Sequence, residues 1–377
     1  MKGVSRFFLA GLLALAACAP AATPTAAPSG GATPATPTAQ VPTAPTATLA
    51  STPTPTAERV RVAVVLNLFG TPWFAGVETG IFAKHGLQVE IMGTRSGQES
   101  AKALAAGDVL IGSSAMNNFQ AEIAAGSPNV AVDVWMGNGA TVINDQPLAI
   151  VARGDRGIRA NHPEDLKGKT VGLSAGGTAE LYLRTILAKA GVDAKDVKMV
   201  NIPQENWLAA LQSGQVDAVS GWEPFVTMMT KQVPGSVVVS RNGGHFGYVI
   251  FTLVRKDTLQ KQRDLVKRVV AAHAEAMAWV RQNPEKAGEI ASHWIQGLDP
   301  KIAAEAMKNV VFDPRITPFT KQAWDISNQL LVQQGRLKAP VPMEGHFDTS
   351  LLEEVIKEHP EYFKDLQEAP LLSLRLP

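Results

Sequence analysis

Short valine-rich runs alternate with segments of helical periodicity between residues 59 and 240, and this alternation restricts the fold more than any other feature. The first run, 59–67 (RVRVAVVLN), predicts a buried strand, and Phe74, Val77 and Ile81 then share one helical face. Strands that alternate with helices predict an α/β fold with parallel sheets and crossover helices. The predicted strands are 59–67, 87–92, 109–111, 130–135, 148–153, 169–173, 197–202, 216–220 and 237–240.

From Asp257 onward, helical periodicity replaces the alternation. Within the alternating part, Ser96 and Glu99 are spaced as a capping box, in which each residue bonds the backbone of the other at the start of a helix. The last third of the chain is therefore expected to be helical. The predicted helices are 117–125, 178–190, 205–213, 265–282, 284–294, 300–310 and 318–334.

The only cysteine, Cys18, follows a charged start, an apolar stretch and the small residues Ala16 and Ala17. This order is typical of a secretory signal. A cysteine directly after Leu-Ala-Ala resembles the bacterial lipobox, which implies that residues 1–17 are a signal peptide and that Cys18 is acylated. The alternative is an ordinary signal peptide that contains a cysteine. The expected location is outside the cell or in the periplasm, anchored by lipid to the outer face of the cytoplasmic membrane.

Residues 18–57 contain little besides alanine, proline, threonine, serine and glycine. So little apolar side chain is expected to leave the segment disordered, as a tether between membrane and folded body. A glycosylated stalk is the other interpretation of the same composition.

Charge and cysteine content exclude several classes of function. Removing Lys2 and Arg6 with the signal lowers the 35 basic residues to 33, against 34 acidic ones, so nothing predicts nucleic-acid binding. With Cys18 acylated, the body has no thiol for a disulfide, a zinc site or a nucleophile. No paired histidine pattern predicts a metal, and no cofactor is expected.

Four segments, in order, resemble the periplasmic solute-binding proteins of nitrate, sulfonate and taurine ABC importers, whose relatives bind thiamine-pyrimidine precursors. Together they lie between about residues 60 and 260. The segments are 80–90 (GIFAKHGLQVE), 104–108 (LAAGD), 165–172 (DLKGKTVG), and 210–218 (ALQSGQVDA) with 221–225 (GWEPF).

The resemblance implies a type II periplasmic-binding-protein fold, in which two α/β lobes are joined by two hinge strands and hold a ligand between them. The expected division is lobe 1 at 58–156 and 247–377, and lobe 2 at 157–246. The chain is expected to cross between lobes near 153–158 and near 245–248. The implied partners are a small-molecule ligand, an ABC permease and its ATPase, and the protein is expected to be a monomer.

Ligand-binding candidates follow the predicted strands, because the carboxyl ends of strands in α/β sheets face the cleft. In lobe 1, aromatic side chains are candidates for walling the ligand or for covering a helix–strand joint, and serines before a helix can cap it or expose amide donors to an anion. These candidates are Asn67, Phe69, Trp73, Ser113, Ser114 and Asn117, with Asn138 near the first crossing.

In lobe 2, Gly176, Gly177 and Thr178 join a strand to a helix, a geometry that binds anions through backbone amides or is a plain turn. Trp222 is a candidate for stacking on the ligand. Glu223 is a candidate for contacting the ligand or holding the lobes together. His245 lies by the second crossing, where it is either a ligand contact or an ordinary hydrogen-bonded histidine.

The leading hypothesis is a lipid-anchored extracytoplasmic binding protein of an ABC importer that captures a sulfonate-, nitrate- or taurine-like anion, or a pyrimidine-like heterocycle, by lobe closure. It performs no covalent chemistry. One alternative is an enzyme similar to the thiamine-pyrimidine synthase, and the other is a sensory co-receptor that uses the same cleft.

Overall fold

The computed structural model describes residues 57–137, 143 and 145–376, and within them it forms two five-stranded mixed sheets. Both strands and helices follow the predicted alternation closely. The strands are β1 (Glu58–Val65), β2 (Leu87–Thr94), β3 (Ile111–Ala115), β4 (Asn129–Met136), β5 (Leu148–Arg153), β6 (Thr170–Leu173), β7 (Lys198–Asn201), β8 (Ala218–Trp222), β9 (Ser236–Arg241) and β10 (Ile250–Arg255).

Helices connect the strands and make up the C-terminal third. They are α1 (Thr71–Glu78), α2 (Ile81–Lys84), α3 (Gly97–Ala106), α4 (Met116–Ala124), α5 (Thr178–Lys189), α6 (Trp207–Ser213), α7 (Phe225–Gln232), α8 (Lys256–Lys261), α9 (Arg263–Gln282), α10 (Pro284–Trp294), α11 (Pro300–Met307), α12 (Pro318–Gln333) and α13 (Ser350–Glu358). No helix among the described residues has the length and apolar character needed to cross a membrane.

The two sheets have the same design. The first has the strand order β2-β1-β3-β10-β4, where β1 pairs in parallel with β2 and β3, and β10 lies antiparallel between β3 and β4. The second has the order β7-β6-β8-β5-β9, where β5 is the antiparallel strand. Each sheet therefore contains one antiparallel strand, β10 in the first and β5 in the second. Each of these is the first strand after the chain has moved from the other sheet.

Lobe 1 is the first sheet with the helices that cover it, and lobe 2 is the second sheet with α5, α6 and α7. The long helix α9 packs against α1, α2 and α13 of lobe 1 and buries Val266, Val269 and Met277, which explains the helical character after residue 257. The chain passes between lobes twice, between the end of β4 at Met136 and the start of β5 at Leu148, and between the end of β9 at Arg241 and the start of β10 at Ile250.

The first crossing lies earlier than the expected 153–158. Strand β5 belongs to the second sheet, so lobe 2 begins at Leu148 and the lobe 1 boundary expected at 156 is corrected. The second sheet ends at Arg241, so 242–246 also leave the expected lobe 2. The apolar sequence of β5 predicts a strand but not the sheet to which it belongs. That sheet is determined by pairing with β8 and β9, which come later in the chain.

The capping box predicted at the start of α3 forms only in part. Ser96 Oγ accepts a hydrogen bond from the Glu99 backbone N at 3.3 Å, as expected. The Glu99 carboxylate instead accepts from the backbone N of Arg95 at 2.9 Å, and it also binds the Arg95 guanidinium. The reciprocal bond to Ser96 is thus replaced by an ion pair, and the helix still begins where the pattern placed it.

Candidate functional site

A cavity of about 80 Å³ lies between the two lobes, at the edge where the parallel strands of both sheets end. Asn67 follows β1, Ser174 follows β6, and Trp222 ends β8. The cavity therefore lies where the strand-end rule predicts it, at the carboxyl ends of the parallel strands. The described residues that line it are Val65, Asn67, Phe69, Gly70, Ser96, Gly97, Gln98, Ser113, Ala115, Asn118, Trp135, Ser174, Ala175, Gly177, Thr178, Trp222, Tyr248 and Ile250.

Two helix N-termini, one from each lobe, reach the cavity. The first backbone hydrogen bond of α3 runs from Ser100 N to Ser96 O, so the amides of Gly97 and Gln98 precede the helical ladder. In α5 the first such bond runs from Leu181 N to Gly177 O. The exposed amides and the helix dipole give such an end a partial positive charge, which favours an anion or the negative end of a dipole.

Aromatic rings form the apolar part of the wall. Trp135 Nε1 donates to the backbone O of Phe69 at 2.9 Å, and Trp222 Nε1 donates to Gln204 Oε1 at 3.0 Å. Both indole N–H groups are thus used by the protein, which fixes the rings and leaves their hydrocarbon surface for a ligand. The Phe69 and Tyr248 rings meet edge to face with centroids 5.6 Å apart.

The polar part of the wall is uncharged. The lining set given above contains no aspartate, glutamate, lysine, arginine or histidine, and its polar side chains are amides and hydroxyls. Among the described residues, the Tyr248 hydroxyl has no hydrogen-bond partner, and burial raises the pKa of this phenol above its usual value, so it stays a neutral donor. An anion here would be held by amide and hydroxyl hydrogen bonds and helix ends, without a neutralising side chain.

Direct contacts join the two lobes around the cavity. Thr178 Oγ1 in lobe 2 donates to Asn117 Oδ1 in lobe 1 at 2.8 Å. On another side, Lys231 Nζ of lobe 2 lies 2.9 Å from Glu305 Oε1 of lobe 1. Arg336 of lobe 1 also donates to the Gly176 carbonyl of lobe 2. The lobes therefore stand in a closed arrangement.

About half of the candidates from the sequence line the cavity. Those that do are Asn67, Phe69, Ser113, Gly177, Thr178 and Trp222. The ones that do not are Trp73, Ser114, Asn117, Gly176, Glu223 and His245. Two further candidates, Asn138 and the acylation candidate Cys18, lie outside the described residues.

Trp73 and Ser114 point into lobe 1. Trp73 is completely buried and stacks on His273 at 4.6 Å and on Phe82 at 5.2 Å, because α1 begins at Thr71 and turns this residue towards the core. Ser114 alternates with Ser113 along β3, and its Oγ instead donates to Glu122 Oε1 at 2.7 Å. Both side chains support the wall from behind.

Glu223 holds protein groups together rather than facing the cavity. It is fully buried, and Oε1 accepts from Arg241 Nη2 at 2.6 Å, from Thr227 Oγ1 at 3.0 Å and from Asn309 Nδ2 of lobe 1 at 2.8 Å. Burial raises the pKa of this carboxyl, and Arg241 opposes that rise. Of the two roles considered for it, the contacts match the one that holds the lobes together.

His245 lies in a cluster that ties the two crossings to each other. The buried Asp145 of the first crossing accepts from the backbone N of Gly244 at 3.2 Å and of His245 at 3.1 Å in the second. Burial raises the pKa of Asp145 and lowers the pKa of His245. The His245 ring contacts Lys189 Nζ at 2.8 Å, so this histidine matches the ordinary hydrogen-bonded interpretation.

Sequence reasoning missed several lining residues. Ser96, Gly97 and Gln98 follow β2, and the strand-end rule applied to that strand would have found them. Trp135 lies one residue before the end of β4, so the same rule applies. Tyr248 and Ile250 precede and begin β10, which was not predicted as a strand. Because β10 is antiparallel, its amino end lies at the cleft.

No group of metal-ligating side chains occurs among the described residues.

The family model described as NMT1/THI5 like matches residues 69–287 of this chain. A Brucella abortus protein named only as a binding protein is 26% identical over 251 residues, which span 66% of this chain and 75% of that protein. The taurine-binding periplasmic protein of Escherichia coli is 28% identical over 233 residues, which span 61% of this chain and 69% of that protein.

Solved structures share the fold. The periplasmic aliphatic sulphonate binding protein SsuA from Escherichia coli superposes with a TM-score of 0.63 at 20% identity, covering 76% of this chain and 96% of that one. The periplasmic nitrate-binding protein NrtA from Synechocystis PCC 6803 gives 0.65 at 14% identity, with 84% and 92% covered. The desulfurization enzyme DSZB gives 0.59 at 16% identity, with 80% and 99% covered.

Proposed function

This chain belongs to the NMT1/THI5-like family, and from that premise we propose that it is the extracytoplasmic substrate-binding protein of an ABC importer. Relatives named for binding taurine and sulphonates support this class. Because a desulfurization enzyme shares the fold, the fold alone does not separate binding from catalysis. The proposal rests on the cavity between the lobes.

The ligand we propose is a small organic sulfonate. A volume of about 80 Å³ is smaller than the roughly 150 Å³ of a cavity that holds a benzene ring, so it suits a compact headgroup better than a substituted ring. Three sulfonate oxygens can accept from amides at the start of α3 and α5 and from hydroxyls such as Tyr248. The short apolar part of the ligand would pack on Trp222. Contacts from both lobes give the ligand its preference for the closed state.

A ligand panel tests this proposal. Calorimetry and thermal unfolding of the full-length protein with ethanesulfonate, nitrate and a hydroxymethylpyrimidine should rank the sulfonate first. At a hundredfold excess over Kd the expected stabilisation is about 2.7 kcal/mol. Mass spectrometry should recover the ligand unchanged. Preference for the pyrimidine would overturn the ligand class, and a chemically altered ligand would overturn the binding role.

One wall substitution adds a matched control. Trp222→Ala should weaken the sulfonate by about 1–3 kcal/mol, a range taken from aromatic stacking on bases. Trp279→Ala changes a partly buried tryptophan of α9 that does not line the cavity, so it should leave the affinity unchanged. Equal losses in both variants would mean that the effect comes from general destabilisation.

We also propose that Cys18 carries the lipid anchor. Two or three acyl chains at about 0.8 kcal/mol per buried methylene hold a protein on a membrane. Cys18→Ser should move the protein to the soluble fraction and abolish labelling by a radioactive fatty acid. Label that persists in Cys18→Ser would contradict the anchor.

A further inference from the structure

A buried polar pair lies in lobe 1 next to one wall of the cavity. Asp133 of β4 and His273 of α9 are both completely buried, and Asp133 Oδ2 lies 3.4 Å from His273 Nδ1. The remaining polar atoms of the two side chains, Asp133 Oδ1 and His273 Nε2, have no partner among the described residues. Each side chain therefore depends on the other for its hydrogen bonding.

Three aromatic rings from different elements meet at this pair. The His273 imidazole stacks on Trp73 of α1, with centroids 4.6 Å apart and an interplanar angle of 27°. It also contacts Trp135 of β4 at 5.5 Å and 59°, and the two indoles lie 4.9 Å apart. Of these three ring-bearing residues, Trp135 is the one that lines the cavity.

The contacts connect β4 to itself through α9. Asp133 and Trp135 are two residues apart on this strand, so their side chains project from the same face of the sheet. Asp133 bonds the imidazole of His273, and the imidazole contacts the indole of Trp135. Separately, Trp135 Nε1 donates to the backbone O of Phe69 at 2.9 Å. The bond to Phe69 fixes one edge of the indole, and the contact with His273 limits its tilt.

A buried polar pair is a poor source of stability compared with an apolar core. Removing an acid and an imidazole from water is costly, and well-packed apolar residues of similar volume are often as stable as a buried pair, or more so. A hydrogen bond combined with a stacked ring does fix one orientation, whereas aliphatic side chains pack in several rotamers. What the pair contributes is therefore the orientation of the rings around it, and one of those rings is a wall of the cavity.

We propose that His273 is a positioning residue for ligand recognition: oriented by Asp133, it holds the Trp135 ring at the angle that shapes the cavity. This inference rests on the proposed binding role of the cavity. In a space of about 80 Å³, a small rotation of one indole changes the room left for a ligand. His273 itself does not line the cavity, so it acts through Trp135.

An apolar replacement of the whole pair separates positioning from stability. The double variant Asp133→Val/His273→Leu removes both polar groups together, so we expect it to fold and to resist urea at least as well as the unaltered protein. Its affinity for ethanesulfonate in calorimetry should nevertheless fall about three- to tenfold, the size of one lost contact. Val266→Ala, a buried residue of α9 about two turns away and outside the cavity wall, is the control that should lower stability and leave affinity unchanged.

Two further comparisons show whether the effect passes through Trp135. In a Trp135→Phe background, the apolar double variant should change ethanesulfonate affinity by less than about twofold, because the ring that the pair positions is gone. The conservative variant Asp133→Asn keeps an acceptor for the imidazole of His273. It should therefore bind ethanesulfonate within about twofold of the unaltered protein.

Fluorine NMR without ligand gives a readout that does not depend on the proposed ligand. The chain has seven tryptophans, and after labelling with 5-fluorotryptophan the Trp135 signal is identified by its loss in Trp135→Phe. We expect a single sharp Trp135 line in the unaltered protein and in Val266→Ala. In the apolar double variant this line should broaden or split, while the line of Trp207 in lobe 2 stays unchanged.

Three results would overturn the positioning role of His273. They are a single sharp Trp135 line in the apolar double variant, ethanesulfonate affinity in that variant equal to that of the unaltered protein, and an affinity loss of the same size in the Trp135→Phe background. If the unaltered protein does not bind ethanesulfonate, the proposed ligand is wrong, and the fluorine spectra alone decide the role of His273.

Discussion

The two lobes contribute unequally to the cavity. Twelve lining residues belong to lobe 1, five belong to lobe 2, and Tyr248 comes from the crossing between them. Lobe 1 supplies the amides of Asn67, Gln98 and Asn118, whereas lobe 2 supplies Trp222 and the turn before α5. The difference teaches that lobe 1 carries most of the recognition surface and that lobe 2 covers it.

The same contrast appears in the buried carboxyls behind the two walls. Glu223 of lobe 2, next to Trp222, is bonded to Arg241, Thr227 and Asn309. Glu122 of lobe 1 has Ser114 as its bonded neighbour and leaves Oε2 unpartnered. Both oxygens of the Glu223 carboxylate therefore have partners, although Arg241 Nε beside it has none, whereas Glu122 in lobe 1 keeps one carboxylate oxygen without a partner. Four predictions test this division, in order of decreasing effect.

Glu223→Ala should have the largest effect, on folding. Removing one member of a buried ion pair leaves Arg241 without its partner, and we expect the free energy of unfolding to fall by about 3 kcal/mol. Urea unfolding followed by tryptophan fluorescence measures it. Thr230→Ala, on the same helix α7, is the control with a small expected loss. A loss below 1 kcal/mol in Glu223→Ala would mean that this network does not hold lobe 2.

Glu122 should make lobe 1 less stable as pH rises. Its pKa is about 7 in the folded protein and near 4.5 in the unfolded chain, so the native state binds the extra proton. The resulting stability is fully present below pH 4.5 and is lost as pH rises through 7. Between pH 5 and 8, the stability of the unaltered protein relative to Glu122→Gln should fall by about 2 kcal/mol. A relative stability that rises between pH 5 and 8 would contradict the claim that burial raises the pKa of Glu122.

Tyr248→Phe should affect ligand binding and spare the fold. The hydroxyl has no partner among the described residues, so its removal leaves no protein group unsatisfied. We expect ethanesulfonate affinity to fall by about 1 kcal/mol, the net contribution of one hydrogen bond. Calorimetry and thermal unfolding measure the two quantities separately. An unchanged affinity would remove Tyr248 from the recognition surface assigned to lobe 1 and its crossing.

Thr178→Val should have the smallest effect, confined to closure. It removes the 2.8 Å bond from Thr178 Oγ1 to Asn117 Oδ1, which joins the lobes. Small-angle scattering should show a larger radius without ligand, and affinity should fall by about 0.5–1 kcal/mol. Thr178→Ser keeps the hydroxyl and serves as control. If Thr178→Val weakens binding more than Tyr248→Phe, the unequal roles of the lobes are wrong.

The architecture was predicted well from the sequence because the spacing of apolar residues shows which face of each strand or helix is buried. The two-lobe α/β fold is confirmed, and Pro284–Trp294 was predicted to the residue, since proline marks its start. Strand β10 was missed although Asn242, Gly243 and Gly244 form a turn before its apolar run, and its place in the sheet depends on pairing with β3 and β4, far away in the chain. Pairing over such distances leaves no local signal.

The cavity was predictable where a single strand end determines it, as at Asn67 and Ser113. Side-chain direction limited the rest. Trp73 was a reasonable wall residue until the start of α1 turned it inward, and Ser114 differs from Ser113 only by strand alternation. The partners of Glu223 come from β9 and from the segment after α11, so they depend on tertiary packing that no motif records.

The order in which the strands of the first sheet occur along the chain has a consequence during biosynthesis. Lobe 2 is one continuous stretch, 148–241, whereas β10 is inserted between β3 and β4 after lobe 2 has been made. As the polypeptide leaves the ribosome, lobe 2 is available as a complete folding unit while the lobe 1 sheet is still divided in two. The nascent chain would thereby complete the lobe 1 sheet only after β10 has been translated.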